Sequence, residues 1–394
     1  RIVSGLWSNL DPHLEETARM LGAGRLRTFG KVTLPLLLPA IASSALLAFA
    51  FSFTSFGVVL ILGGSQFATL EVSIYQLTAK LFRLPLAGAL SVVQLVFTYL
   101  FLVLYARLQE RTAVRVDFKP RAAGARRKLR LGDRVFVFCM IAYLLVLLSP
   151  LLALVVRAVS SADGYTPGHV ADLFSNESGS YFYLSPLAAM WNSVRFALAT
   201  VAISLVVGGI VAYFLSRPRR GGASVPDAFF MLPLGASAVT LGLGYLITLN
   251  RPPLDLRGSW VILVIAHSLV AYPFVVRSLL PVLRGMNTNL REAAAVMGAS
   301  PARGFLHVDL PIVAPALLVG ATFAFAVSMG EFGASLLLVR PEFTTMPVAI
   351  FRFLGLPGAS NLGKALAMSS LLMAVVALGF VAIERFRYRG VGAF

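Results

Sequence analysis

The stretch LEETARMLGAGRLRTFGKVTLPLLLPA at residues 14–40 returns without a gap as LREAAAVMGASPARGFLHVDLPIVAPA at residues 290–316. The match keeps glycine, proline and charged positions in register, which chance similarity between two apolar helices would not do. Self-similarity at a fixed offset, here 276 residues, predicts two copies of one structural unit. The matched pairs include Glu16/Glu292, Ala18/Ala294, Gly22/Gly298, Arg27/Arg303, Leu34-Pro35/Leu310-Pro311, Pro39/Pro315 and Phe56-Gly57/Phe332-Gly333.

The composition around this repeat indicates a membrane protein. Of the 394 residues, 58% are hydrophobic and only 13% are charged, with a mean hydropathy of +0.83. A soluble domain has about a quarter of its residues charged. Because no water-soluble core of this size could cover so much apolar surface, lipid is the expected solvent.

Eight apolar stretches are long enough to cross a bilayer as helices, which needs about 20 residues each. They are continuous rather than alternating, so helices are expected and not a barrel. The predicted fold is therefore an all-α, polytopic helical bundle. The stretches are 36–62, 88–106, 135–156, 188–215, 226–249, 259–280, 310–338 and 365–384.

The positive charges give the orientation. If the loop at 107–134 is cytoplasmic, the inside segments carry 25 Lys and Arg and the outside segments carry 8. This asymmetry is the positive-inside pattern. It places the C-terminus in the cytoplasm and accounts for the net charge of +17 without nucleic acid as a partner.

Both copies of the repeat enter the membrane after Leu-Pro from the cytoplasmic side, so they are parallel rather than inverted. The second copy has six spans, and the first has only its motif and its last two spans. We expect an N-terminally truncated fragment of a twelve-span protein. The predicted organisation is a first transmembrane domain at 1–106, a basic cytoplasmic linker at 107–134 and a complete second domain at 135–394.

Each repeated motif has Glu, then Ala two residues later, Gly six residues after the Glu, and Leu-Pro after a further gap. This resembles the EAA loop of permeases in binding-protein-dependent ABC importers, of the type I transmembrane fold; Thr17 departs mildly from the usual Ala. The resemblance implies that each loop couples to an ATPase subunit. The residues that carry it are Glu16, Ala18, Gly22, Leu34, Pro35, Glu292, Ala293, Ala294, Gly298, Leu310 and Pro311.

The residues themselves support a docking role. Residues 290–299 are alanine-rich, with Glu292 in the first turn, which favours a short helix. Gly298 and Pro301 end that helix. A short helix of small residues that protrudes from the membrane is suited to a groove on a partner. The alternative is a connecting loop that only ends a helix, which two matched copies make less favourable.

The resemblance also implies the partners and the mechanism. Two copies of an ATPase would dock at the two loops, and an extracytoplasmic binding protein would deliver the solute. ATP and magnesium would bind the ATPase, so we expect no cofactor, metal or catalytic residue on this chain. The expected location is the bacterial inner membrane.

Two ionisable residues within predicted spans are candidates for the transport pathway. Glu331 lies in the GEFG stretch at 330–333, where it could line or gate a pore or could pair with a polar neighbour. Arg195 could take part in the pathway or could extend to the membrane interface. His267 is expected to be a hydrogen-bonded packing residue, with a proton relay as the alternative.

Other functions find less support. GASNLGKA at 358–365 nearly matches a phosphate-binding loop, but Ala365 replaces the magnesium-binding Ser or Thr and the segment falls outside the cell. A gradient-driven secondary transporter would be expected to have paired intramembrane acids, and a membrane enzyme would need a catalytic constellation.

The substrate prediction rests on resemblance alone. Fused permeases with two EAA loops resemble the ferric iron and thiamine importers, and TTMPVAIFRFLG at 344–355 is similar to the corresponding stretch of that subgroup. Ferric iron is favoured over thiamine. Polyamine, sulfate and phosphonate importers stay open as alternatives.

Overall fold

The computed structural model describes residues 3, 7, 10, 12–63, 66–112, 131–161, 164–174, 185–216, 224–249, 255–256, 258–286 and 288–391. Most of this part of the chain is helical, and one two-stranded antiparallel ribbon joins β1 (Ser160–Ser161) to β2 (Gly164–Tyr165). In the first half of the chain the helices are α1 (Pro12–Met20), α2 (Arg25–Thr28), α3 (Leu34–Phe53), α4 (Leu70–Tyr75) and α5 (Leu84–Thr112), with π-helical turns at Phe29–Thr33, Val59–Gly63 and Gln76–Lys80.

The remaining helices follow the segment 113–130. They are α6 (Leu131–Ala158), α7 (Gly168–Phe174), α8 (Pro186–Ser216), α9 (Ser224–Gly235), α10 (Ala238–Thr248), α11 (Val261–Gly285), α12 (Thr288–Val296), α13 (Pro301–Gly304), α14 (Leu310–Gly330), α15 (Gly333–Leu338), α16 (Met346–Gly355) and α17 (Ala359–Val391). A π-helical turn at Phe305–Asp309 and a 3-10 turn at Pro341–Phe343 complete the described elements.

Six of these helices are long and apolar enough to cross a membrane, and a seventh span results if the bent pair Arg25–Leu38 and Ala40–Leu46 counts as one. The six are Leu84–Leu104, Arg134–Ala158, Pro186–Ser216, Val261–Gly285, Ala302–Gly330 and Ala359–Ile383. The helix at Arg134–Ala158 has a mean hydropathy of 2.7, and the protein buries none of its most apolar window. Such a helix requires lipid as its solvent, which agrees with the predicted all-α membrane fold.

The predicted span 226–249 is not one helix. It is divided into α9 and α10, and each is shorter than the roughly 20 residues that a crossing needs. Pro233 removes a backbone donor near the end of α9. Ser237 then accepts hydrogen bonds from the backbone N–H groups of Val239 and Thr240, and this N-cap starts a new helix.

The predicted spans 36–62 and 310–338 are interrupted as well. In the first, α3 ends at Phe53 and helix resumes only at Gly57. In the second, α14 ends at Gly330, and Glu331 and Phe332 separate it from α15. Glu331 therefore lies at a helix break rather than inside a continuous span.

By its contacts the chain forms two compact units: 1–54, 95–148 and 222–235 in the first, and 55–94, 149–221 and 236–394 in the second. Within the first unit, Gly235 of α9 packs on Thr98 and Leu102 of α5. Most of the predicted linker 107–134 lies outside the described residues. The boundaries predicted from sequence at 106 and 135 stay a prediction.

The core of the second unit is the packing of α8, α11 and α14. Gly208 of α8 and Gly320 of α14 both lie against Val275 of α11, and glycine there lets the helices approach closely. Asn192 of α8 donates two hydrogen bonds to the carbonyls of Glu342 and Thr344, which fastens the loop before α16 to this core.

The repeat seen in the sequence is also a repeat of structure. Helices α1, α3, α4 and α5 correspond at the 276-residue offset to α12, α14, α16 and α17, and both copies have a π-helical turn before the long helix. Thr69 and Thr345 occupy the same N-cap position, with φ/ψ of −80°/171° and −96°/161°. The gap-free alignment of the two sequences is thus reproduced element by element.

Candidate functional site

The two loops that carry the repeated motif fold in the same way. We call residues 12–23 the first repeated loop and 288–299 the second. Each contains a nine-residue helix, and two residues after that helix comes a glycine with φ of +83°, Gly22 or Gly298. The next N–H returns to a carbonyl five residues earlier, from Ala23 to Ala18 and from Ala299 to Ala294, each at 3.0 Å. This is the Schellman termination that a left-handed glycine permits.

After each glycine the chain turns directly into the membrane helix. Thr28 and Gly304 donate backbone hydrogen bonds to Gly24 and Ser300, each at 2.9 Å, and begin α2 and α13. The π-helical turn then leads to Leu34-Pro35 in one copy and Leu310-Pro311 in the other. Both Leu-Pro pairs lie within continuous helical segments, Arg25–Leu38 in the first copy and Ala302–Gly330 in the second.

Each repeated loop exposes an apolar face at matching positions. Leu14 and Leu290 are 47% and 48% exposed, Met20 and Val296 are both 88% exposed, and Leu21 and Met297 are both 84% exposed. Glu16 and Glu292 are exposed beside them, while Ala18 and Ala294 are half-buried. Large apolar side chains exposed at equivalent positions are typical of an interaction site.

The first loop is also tied to its own membrane helix. Thr33 donates a 2.9 Å hydrogen bond to Oε1 of Glu15, and Arg19 contacts the other oxygen of Glu15 at 3.3 Å. Glu16 pairs with His13, at 3.3 Å on the exposed side. Glu15 thus faces the membrane helix and Glu16 faces outward.

Glu331 is buried at the break between α14 and α15 and accepts hydrogen bonds there. Its carboxylate receives the N–H groups of Ala334 and Ser335, both at 2.9 Å, and the hydroxyl of Ser335 at 2.7 Å. Nε2 of His267 lies 3.3 Å away. The carboxylate therefore satisfies the backbone donors that the break leaves at the start of α15.

His267 connects this carboxylate to α14. Its Nδ1 lies 2.8 Å from the hydroxyl of Ser328, and its Nε2 lies 2.8 Å from the hydroxyl of Ser335. These contacts agree with a hydrogen-bonded packing residue. The position matching Glu331 in the first copy is Ser55, which has no carboxylate. The contact between Glu331 and His267 is therefore particular to the second copy.

Arg195 lies in α8, away from both repeated loops in sequence. It is half-buried, and its guanidinium lies 4.9 Å from the ring centroid of the adjacent Phe196. Its Nε has no hydrogen-bond partner among the residues that the structure describes. A role in the pathway stays a prediction for both Arg195 and Glu331.

A second buried carboxyl, that of Glu71, was not predicted from the sequence. It lies on α4, between two membrane spans, and is fully buried. Gln94 of α5 donates to its Oε1 at 2.8 Å, and the hydroxyl of Ser237 donates to its Oε2. Thr240 of α10 completes the cluster with a 2.9 Å bond to Gln94. Burial raises the pKa of Glu71 to about 7, against the lowering effect of its hydrogen bonds to Ser237 and Gln94.

The remaining sequence hypotheses can be placed as well. Residues 359–365 form the first turns of α17, so the segment resembling a phosphate-binding loop is helix rather than loop. Among the described residues, no group of three or more His, Cys, Asp or Glu side chains is arranged to hold a metal ion.

The family model of the inner membrane component of binding-protein-dependent transport systems matches residues 1–114. The molybdenum transport permease ModB of Haemophilus influenzae is 30% identical over 206 residues, which is 49% of this chain and 90% of ModB. This chain belongs to that family of inner membrane components. It is the permease of an ABC importer and a multi-pass protein of the inner membrane.

Two further relatives of this permease differ in their named substrates. The ferric transport permease FbpB of Actinobacillus pleuropneumoniae is 25% identical over 382 residues, which is 95% of this chain and 54% of FbpB. The putative 2-aminoethylphosphonate permease PhnV of Salmonella typhimurium is 31% identical over 160 residues, which is 41% of this chain and 59% of PhnV.

The solved structures support the fold. The permease is similar to a chain of a bacterial ABC transporter that takes part in import of the polysaccharide alginate, with a TM-score of 0.50 and 16% identity. The match covers 65% of this permease and 98% of that chain. At this identity the likeness supports the type I ABC permease fold and carries no information on substrate.

Proposed function

We propose that the two repeated loops are the docking sites for two copies of an ATPase subunit. ATP binding to these subunits would drive import through the membrane helices. The observation that carries this proposal is the matched apolar face of the loops, with three large apolar side chains exposed beside one glutamate in each copy. A pair of equal sites fits a pair of equal partners.

The loop geometry supports transmission of movement as well as binding. Each loop passes, through one glycine, a four-residue helix and a π-helical turn, into a membrane helix of 20 or 21 residues. Because the Schellman bonds and the short turn leave little slack, a displacement of the loop shifts the end of that helix. The permease itself would perform no covalent chemistry, and ATP and magnesium would be held by the partner.

Co-purification tests the docking proposal. The permease would be expressed with the ATPase encoded beside it, as wild type, as Glu16→Lys with Glu292→Lys, and as Leu21→Glu with Met297→Glu. Both double variants should lose most of the ATPase. The matched control is Glu342→Lys, since Glu342 is an exposed glutamate in the 3-10 turn outside both loops. Retention of the ATPase by both double variants would reject the assignment.

For the substrate we propose ferric iron delivered by an extracytoplasmic binding protein. The support is that FbpB matches 95% of the chain and so extends over both copies, whereas ModB and PhnV match 49% and 41%. Thiamine is the alternative that the resemblance in sequence suggests. The similarity to PhnV supports a phosphonate as a further alternative.

Uptake by cells that carry the importer distinguishes these substrates. Radiolabelled ferric iron should accumulate in an ATP-dependent way, and excess molybdate, 2-aminoethylphosphonate or thiamine should not compete. Competition by one of the three, with no accumulation of iron, would reassign the substrate and leave the docking proposal untouched.

A further inference from the structure

Four aromatic rings form a continuous row in the second unit. Tyr75 contacts Phe56 with ring centroids 5.4 Å apart, Phe56 stacks on Phe332 at 5.5 Å, and Phe332 contacts Phe351 at 5.3 Å. The outer contacts have interplanar angles of 63° and 59°, and the central pair has 27°. The row is thus symmetric about its central stack.

The symmetry of the row follows the repeat of the sequence. Phe56 and Phe332 are equivalent at the 276-residue offset, and so are Tyr75 and Phe351. Phe56 lies between the end of α3 and the helical turn at 57–63, and Phe332 lies between α14 and α15. Each copy therefore contributes one ring from its helix break and one from its following helix.

Contact between equivalent residues places them at the interface between the two copies. Parallel repeats are related by an axis along the membrane normal, and a transport pathway runs at the interface between repeats. The Phe56 and Phe332 centroids are 5.5 Å apart, so these two rings lie where the copies meet.

The surroundings of the central stack are apolar and closely packed. Phe56 is buried, and the equivalent leucines Leu60 and Leu336 belong to the same hydrophobic cluster. A Cβ on Gly57 would lie 3.2 Å from the Phe332 ring, so the first copy approaches that ring with little free space. Phe332 follows α14, so the stack lies at the opposite end of this membrane helix from the second repeated loop.

We propose that Phe56 and Phe332 are the constriction of the transport pathway, which this structure holds closed, and that Tyr75 and Phe351 hold the two rings in place. The inference rests on the proposed import function. Two apolar rings in contact exclude hydrated ions because water leaves a narrow hydrophobic constriction. Passage of the solute requires the central stack to part, while each outer pair stays within its own copy.

Cross-linking tests the movement. Phe56→Cys with Phe332→Cys would be made in a Cys139→Ser background, since Cys139 is an exposed free cysteine. A short bis-methanethiosulfonate reagent should join the two positions. Uptake should fall to the background level and return on reduction, while the ATPase stays bound in both states.

A matched pair from one copy is the control. Phe49 and Phe101 lie on α3 and α5, with ring centroids 4.6 Å apart, and both belong to the first unit. Cysteines there should cross-link without loss of uptake. Uptake by the Phe56–Phe332 cross-linked protein at the rate of the reduced protein would overturn the proposal. Failure of that pair to cross-link while the control pair does would also overturn it.

A leak measurement keeps the inference separate from the substrate. In proteoliposomes without ATP, Phe56→Ala with Phe332→Ala should raise passive potassium efflux several-fold over wild type, whereas Phe49→Ala with Phe101→Ala should not. An unchanged efflux from the first variant would contradict the constriction. Loss of ATPase docking, or import of another solute, would contradict only the proposed function.

Discussion

Glu71 illustrates how one residue can fasten several segments together. Its carboxyl joins α4 to Gln94 of α5 and to Ser237, which is itself the N-cap of α10. The Ser237 hydroxyl thus accepts hydrogen bonds from α10 through its oxygen and donates one to the Glu71 carboxyl. Removal of the carboxyl would therefore leave a buried amide and a buried hydroxyl without their partner, which costs about 1–3 kcal/mol for each group.

The raised pKa of Glu71 predicts a pH dependence of stability. The folded state holds the proton up to about pH 7, whereas the unfolded chain releases it near 4.5. Between these values the folded protein binds more protons, so stability is fully present below the lower value and is lost as pH rises through the higher one. The melting temperature of the detergent-purified permease should therefore rise as pH falls from about 8 to about 5.

The Glu71→Gln variant provides the control for this prediction. Its amide stays neutral, so the melting temperature should depend less on pH than in wild type, and the variant should gain most at the alkaline end. Equal pH profiles for the two proteins would show that Glu71 does not titrate in this range. Thermal unfolding of both proteins across the pH series is the measurement.

At the scale of elements, the contacts between helices depend on single glycines. A Cβ at Gly208 of α8 would lie 2.8 Å from Cβ of Val275 and 3.1 Å from the backbone oxygen of Tyr272, both on α11. One residue on, a Cβ at Gly209 would have no heavy atom within 4 Å. Neighbouring glycines in one helix thus have opposite tolerance for a methyl group.

We expect Gly208→Ala to destabilise the permease by about 1–3 kcal/mol, because the added methyl group forces α8 and α11 apart. Gly209→Ala should be neutral or slightly stabilising, since alanine favours helix over glycine by about 1 kcal/mol. Thermal unfolding in detergent compares the two variants. A larger loss in Gly209→Ala than in Gly208→Ala would contradict the packing of these helices.

Helix breaks are the second feature of this scale. At Glu331 and Phe332 a side-chain carboxylate caps the new helix, and at Ser237 a hydroxyl does so. The first copy breaks at the same place with Ser55 in the corresponding position. The break is therefore common to both copies, while the contact between Glu331 and His267 is particular to the second.

For the whole molecule, the equality of the two repeated loops is itself a prediction. Neither Gly22 nor Gly298 would have an atom within 4 Å of an added Cβ, so alanine there suffers only from the φ of +83°. That strain costs about 1–2 kcal/mol for a residue other than glycine. Alanine should therefore destabilise the folded conformation of each loop by the same amount.

Binding of the purified ATPase to single variants measures this equality. Gly22→Ala and Gly298→Ala should each weaken binding about fivefold or more, since about 1 kcal/mol corresponds to that factor. Asparagine tolerates the left-handed region better, so Gly22→Asn and Gly298→Asn should bind more tightly than the alanine variants. Unequal losses from the two alanine variants would mean that the loops do not serve equivalent sites.

The sequence by itself determined three features of this protein: lipid as its solvent, the repeat of one structural unit, and the two repeated loops. Hydropathy and charge are sums over local stretches, and the repeated motif ends its helices through local glycine and proline chemistry, so no distant contact was needed. The same local information predicted the helical fold and the family, which the structure and the relatives confirm.

Only the tertiary structure decided where the helices break and which residues meet. The span predicted at 226–249 looked continuous because hydropathy does not register an N-cap. Glu71 reaches Ser237 across 166 positions of the sequence. Phe56 and Phe332 were visible as equivalent residues, but their stacking depends on packing between the two copies. Contacts of this kind arise from the packing of helices that are far apart in the chain, and a pattern read along the chain does not contain them.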